Sequence, residues 1–113
     1  MIKIYHNPMW SKSRKSVEIL EYYKKKFKIV NYMKDGISIS ELKNITKILK
    51  VNIREIIRKS DKLFKQLNIE NIYDEDEIYE ILSKNIKIIE RPIVINGDAG
   101  AIGRPPENIK KII

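Results

Sequence analysis

Two short apolar runs with a helical stretch between them constrain this chain more than any other feature. Ile2–Tyr5 alternates apolar residues with Lys3 and reads as a strand; Phe27–Asn31, centred on Ile29 and Val30, reads as a second. His6-Asn7-Pro8 breaks the first run, because proline fixes its own backbone and biases Asn7 away from helix. From about Ser11 to Lys26, Val17, Leu20, Tyr23 and Phe27 recur at helical spacing, which predicts a helix with one buried stripe. Lys24, Lys25 and Lys26 then fall in its last turn, where cations suit the negative end of the helix dipole. Strand, connecting helix and strand together call for a parallel pair with a right-handed crossover.

The middle of the chain is helical in pattern. Ser38-Ile39-Ser40-Glu41 fits a capping box followed by Leu42, Ile45 and Leu49, and Asn52-Ile53-Arg54-Glu55 fits a second cap before Ile56 and Ile57. Ser60 or Asp61 starts a short turn with Leu63, Phe64 and Leu67. Asp74-Glu75-Asp76-Glu77 places acids at the positive end of another helix, with Ile78, Ile81 and Leu82 facing inward; helix-start chemistry explains this run better than metal binding. Near the end, Ile93-Val94-Ile95 reads as a buried strand, Asn96-Gly97 as a hairpin turn, and Ala99–Ile102 as the returning strand. Pro105-Pro106-Glu107 opens a last helix with Ile109, Ile112 and Ile113 on its apolar side.

The resulting order is β-α-β, a helical insertion, then β-β-α. That is an α/β, thioredoxin-like fold in one domain, residues 1–113, with the insertion at about 38–85. A chain of 113 residues suits one domain, and 42% hydrophobic residues suffice for a core. No apolar run is long enough to span a membrane, and polar residues interrupt the start by His6, so a cytoplasmic location without membrane partners is the expectation.

Composition removes several chemistries. The chain has no cysteine, which excludes disulfides, thiolate metal sites and cysteine nucleophiles within it. With His6 as its single histidine, it has no multi-histidine metal site and is a poor fit to a Ser-His-Asp triad. The net charge of +8 suits nucleic acid or small anions. Lys, Ile and Asn are abundant while alanine occurs only at Ala99 and Ala101, a bias typical of A- and T-rich coding, which accounts for most of the lysines. No nucleic-acid motif or interleaving of aromatic and basic residues is present, so nucleic acid ranks last among partners. The five arginines, Arg14, Arg54, Arg58, Arg91 and Arg104, are the more informative bases.

Pro8 through Arg14 runs from a strand end through a loop into a helix start. Unpaired N–H groups and the dipole make such a start attractive to anions, and Lys12 and Arg14 add charge. A capped helix with basic surface residues fits the same segment. Arg91-Pro92 precedes a buried strand, where Arg91 is either a salt-bridge partner or an anion ligand. In Gly103-Arg104-Pro105 the glycine permits close backbone approach.

These segments together carry a resemblance. His6-Asn7-Pro8 with Ser11-Lys12-Ser13-Arg14, Arg54-Glu55-Ile56-Ile57-Arg58-Lys59, Arg91-Pro92-Ile93-Val94 and Gly103-Arg104-Pro105-Pro106-Glu107 resemble, in order, the glutaredoxin-dependent arsenate reductase (ArsC) family, which shares its fold with the transcription regulator Spx. The resemblance implies a thioredoxin-like fold, a cis Arg91–Pro92 bond with Pro92 structural, and arsenate or a similar small oxyanion bound by Arg58, Arg91 and Arg104. It also implies His6 and Ser13 supporting a catalytic thiolate, Asn7 and Pro8 shaping the loop, and no resident cofactor. Glutathione and glutaredoxin act as co-substrates in the reduction of arsenate to arsenite. Planar arginine forks suit tetrahedral oxyanions because each donates two hydrogen bonds at once.

One position departs from the family. Trp10 stands where the family has its cysteine. An indole is a hydrogen-bond donor only and supplies no thiolate, and a serine at 11 or 13 cannot form the sulfur link that glutathione attacks. The expectation is an inactive or repurposed family member that retains an oxyanion site. The alternative is a binding module resembling Spx that docks on the RNA polymerase α subunit, although Spx-like proteins carry a CxxC pair in this loop and this chain has none.

Overall fold

A computed structural model describes residues 2–113, which fall into two compact units. The first contains the chain up to Asp35 together with Arg91–Ile113, and the second is Gly36–Glu90. The inserted unit is therefore slightly longer at both ends than the 38–85 stretch of helical pattern.

The first unit is a four-stranded sheet in the order β2-β1-β3-β4, with β1 Ile2–Tyr5, β2 Phe27–Val30, β3 Ile93–Asn96 and β4 Ala99–Ile102. β1 and β2 are parallel with Ile2 opposite Phe27, as a strand–helix–strand connection requires. β3 runs antiparallel to both β1 and β4, and Gly97 takes a positive φ of 62° in the hairpin turn. Ile2, Ile4, Leu20, Val94 and Ile109 form the buried cluster between the sheet, helix α1 (Ser11–Tyr22) and the C-terminal turn Pro106–Lys111. That last segment is a 3-10 helix rather than an α-helix. It retains the expected proline-led start and buries Ile109.

Helix α1 ends at Tyr22, not Lys26. Lys24 adopts a left-handed φ of 54°, Lys24 N–H donates to Glu21 O, and Lys25 N–H donates to Leu20 O. This is a Schellman closure with lysine in the place glycine usually takes. Lys24, Lys25 and Lys26 thus lie just beyond the helix and not in its last turn as the pattern predicts. Tyr23 is 46% exposed, and the buried face of α1 is Ser13, Ser16 and Leu20 instead of a stripe through Tyr23. Small residues bring the helix start close to the strands, which an apolar-periodicity reading does not register.

The second unit follows its caps. In α3 (Ile39–Leu49) the Ser38 hydroxyl accepts from Glu41 N–H at 3.1 Å. Asn52 Oδ1 accepts from Arg54 N–H at 3.0 Å, while Glu55 Oε2 accepts from Asn52 N–H at 2.7 Å, a reciprocal box on the short 3-10 turn Ile53–Ile56. Asp61 caps α4 (Lys62–Gln66) and Asp74 caps α5 (Glu75–Lys84), whose first turn holds Glu75, Asp76 and Glu77. Leu42, Ile45, Ile53, Ile56, Ile69, Ile78, Leu82, Ile88 and Ile89 are essentially inaccessible. A one-turn helix α2, Tyr32–Asp35, closes the first segment of the other unit; its shortness leaves no periodicity to read. No helix among the described residues is long and apolar enough to cross a membrane.

Candidate functional site

The loop between β1 and α1 is built by its own hydrogen bonds. His6 N–H donates to Val30 O at 3.2 Å and ties the loop's first residue to the end of β2. Asn7 then serves three neighbours. Its N–H donates to Ser13 Oγ at 3.0 Å, its Oδ1 accepts from Met9 N–H at 3.1 Å, and its carbonyl accepts from Trp10 N–H at 3.0 Å. Arg14 Nη1 donates to the Pro8 carbonyl at 2.9 Å and closes the loop from the helix side. Asn7 and Pro8 shape this loop through contacts that their residue types predict.

His6 and Ser13 are both buried and in contact, with Nδ1 at 2.5 Å from Oγ. Burial, with the nearby Arg14 charge as the smaller cause, lowers the His6 pKa below its ordinary 6.5. The ring is therefore neutral at pH 7. Ser13 Oγ accepts the Asn7 N–H and shares a second hydrogen bond with His6 Nδ1.

Trp10 occupies the N-cap position of α1 in an extended conformation, and its side chain makes no capping bond. No acidic residue stands in the first helical turn. The helix start thus has no acid of its own first turn to neutralise its positive end. Beside it, the Arg91 guanidinium carbon lies 3.7 Å from the Trp10 ring centroid. Arg91 is only 5% exposed, whereas Trp10 is 40% exposed. Stacking covers the face of the guanidinium; oxyanions are bound by the N–H edge. The Arg91–Pro92 bond is cis, and Gly103 N–H donates to Pro92 O at 2.8 Å. A Cβ on Gly103 would stand 2.6 Å from Ser16 Oγ and 2.7 Å from Pro92 Cγ, so the glycine is what allows β4 to reach the proline. Arg104 follows as an exposed residue after β4, and its bond to Pro105 is also cis, which nothing in the sequence reading anticipated.

The structure thus joins Trp10 to Arg91 and His6 to Ser13 by direct contact. Arg58 lies in the other unit, half-buried after Ile57, which forms an isolated bridge with Ile89; its N–H donates to Ile88 O at 2.6 Å. In the sequence Arg14 reads only as nearby charge; in the structure it also holds Pro8 and acts on His6. Ser16, which makes room for Gly103, had no signal beyond being a small residue on a helix.

The sequence profile of the ArsC family matches residues 5–112. This chain belongs to the ArsC family. It is 41% identical over 112 residues to the arsenate reductase of Haemophilus influenzae, covering 97% of each chain. The solved arsenate reductase from Vibrio cholerae superposes with a TM-score of 0.95 at 33% identity, covering 99% of this chain and 97% of that one. The global transcriptional regulator Spx of Listeria innocua is 25% identical over 114 residues, covering all of this chain and 87% of the regulator. The thioredoxin-like fold expected for an ArsC-family chain is the fold observed. The ArsC-family chain described here departs from the cysteine chemistry that its resemblance implies, since it contains no cysteine at all.

Proposed function

We propose that this protein is an ArsC-family member that holds a small tetrahedral oxyanion at the loop before α1 and does not reduce it. The observation that carries the reading is the pairing of Arg91 with Trp10: a buried guanidinium lies against the residue that replaces the nucleophile, at a helix start with no acid in its first turn. The N–H edge of Arg91 and the exposed Arg104 are the candidate anion donors on the first unit. Arg58, on the second unit, is a match to the family motif alone. His6 and Ser13 keep the loop in shape rather than tuning a thiolate.

Reduction of arsenate to arsenite is a two-electron step. In the family it proceeds through an arsenic–sulfur bond that glutathione breaks and glutaredoxin clears. Trp10 supplies no thiol for that bond, so glutathione and glutaredoxin have no partner sulfur on this chain. The test is arsenate-dependent NADPH oxidation coupled through glutathione and glutaredoxin, with native protein and Trp10→Cys side by side. Thermal stabilisation by millimolar sulfate or arsenate is measured in parallel. The expected result is no turnover for the native chain, turnover for Trp10→Cys, and oxyanion stabilisation that Arg91→Ala removes. Native turnover would overturn the loss of activity, and absence of any oxyanion stabilisation would overturn the retained site.

The likeness to Spx supports a second reading, a module that docks on the RNA polymerase α subunit. Co-purification with that subunit tests it; no complex at micromolar concentrations removes it.

A further inference from the structure

The charge of this protein is not shared between its units. The first holds thirteen Lys or Arg against five Asp or Glu, while the second holds ten of each. Bases are nearly as dense in the second unit; what the first lacks is the acids to neutralise them. Five of the thirteen lie on or next to one edge of the sheet. Lys24, Lys25 and Lys26 form the exposed lead into β2, and Lys28 is exposed on it. Lys3, also exposed, stands directly opposite Lys28 in the parallel register. Among the described residues, none of these five is in an ion pair.

Like charges facing each other across a ladder destabilise a sheet. The turn lysines stand just past the end of α1 at Tyr22, where the helix dipole suits a cation but does not call for a partner-free pair at Lys3 and Lys28. Lysines often guard edge strands against unwanted pairing, which would explain Lys28. It does not explain Lys3, which sits on the inner strand β1, and the opposite edge, β4, has no lysine at all. A second observation comes from the edge itself. β2 pairs with β1 on one side only, and Ile29 is 48% exposed on the other face of the strand from Lys28.

We propose that β2 is a docking edge for an acidic, extended segment of a partner protein. The segment adds alongside β2 as a fifth strand. Its backbone pairs with the open edge, its carboxylates meet Lys26, Lys28 and Lys3 on one face, and its alternate apolar side chains cover Ile29 on the other. A nucleic acid would satisfy the lysines but use neither the backbone edge nor Ile29, which is why a polypeptide is the better occupant.

The probe is a short labelled peptide of alternating Glu and Val, titrated with the full chain by fluorescence anisotropy. Two controls accompany it: the same peptide methylated on alternate backbone nitrogens, and an oligothymidylate of equal charge. The native peptide should bind at least about tenfold tighter than either control. Lys28→Glu should weaken the peptide by about tenfold or more while raising the thermal midpoint, because Lys3 gains an opposite charge as its neighbour. No binding at millimolar protein, or an unchanged affinity in Lys28→Glu, overturns the proposal. Equal binding of the methylated peptide overturns strand addition, and tighter binding of the oligothymidylate overturns the polypeptide partner.

Discussion

Ser13 Oγ stands 2.5 Å from His6 Nδ1, and both side chains are buried beneath the loop that carries Trp10. One partner in this contact is a titratable ring, so the contact ties the loop to pH.

The His6 pKa is held below its ordinary 6.5 in the folded chain, by burial first and by Arg14 second. The unfolded chain takes up the proton near 6.5 and the folded chain only at lower pH. The contribution to stability is complete above 6.5 and is lost as pH falls from there through the folded pKa. His6 is the single histidine, so no other side chain with an ordinary pKa titrates in this window. Urea unfolding should give a lower stability at about pH 5.5 than at about pH 7.5. His6→Gln should show a smaller difference; an equal difference in both proteins would place its source elsewhere.

Gly103→Ala should destabilise the protein by about 1–3 kcal/mol, the range for overpacking a filled interior. The added methyl meets Ser16 Oγ and Pro92 Cγ, and both residues are buried, so neither has solvent to move into. Urea midpoints of native and variant protein check this, with a change of less than about 0.5 kcal/mol counting against the close approach.

Lys24→Gly should have the opposite sign. A lysine at a φ of 54° holds a backbone conformation that costs an L-residue about 1 kcal/mol, and glycine takes it without strain. Some of that gain returns to the more flexible unfolded chain. The expected net gain is about 0.5 kcal/mol in a thermal or urea melt, and a loss would contradict the helix closure described above.

Much of the fold was legible because short polar side chains dictate it locally. Ser38, Asn52, Asp61 and Asp74 each cap the start of a helical element, and the hairpin turns at Gly97-Asp98, one residue beyond the Asn96-Gly97 of the sequence pattern, because Asn96 still pairs with Ala99. The end of α1 was not legible. Its stop signal is ordinarily a glycine, and here a lysine run that looks like good helix sequence performs it. The candidate site was half legible. The His6–Asn7–Pro8 loop has a local grammar, whereas the stack of Arg91 on Trp10 joins residues far apart in the chain and depends on β3 lying next to β1. Arg58, Arg91 and Arg104 were singled out as ligands through resemblance, which says nothing of stacking.

Trp10 is the single tryptophan, so its emission reports from the residue stacked on Arg91. Sulfate bound at the N–H edge of Arg91 should perturb the stack and change that emission, and Arg91→Ala should abolish the response. Trp10→Ala should cost about 1 kcal/mol of stability, in the range of a partly desolvated cation–π contact. A sulfate response that persists in Arg91→Ala would mean that the anion is held elsewhere.

The first unit is assembled from separated stretches of chain, and its middle strand β1 needs both β2 and β3 as neighbours. Translation delivers those neighbours far apart in time. The parallel partner is made soon after β1, but Ile93–Asn96 comes only after every residue of Gly36–Glu90. At synthesis rates of about 5–20 residues per second, β1 spends seconds with one side open, and a two-stranded fragment is marginal by itself. The continuous unit meets no such delay. The half of the molecule that holds His6, Trp10 and Arg91 is begun first on the ribosome and completed last.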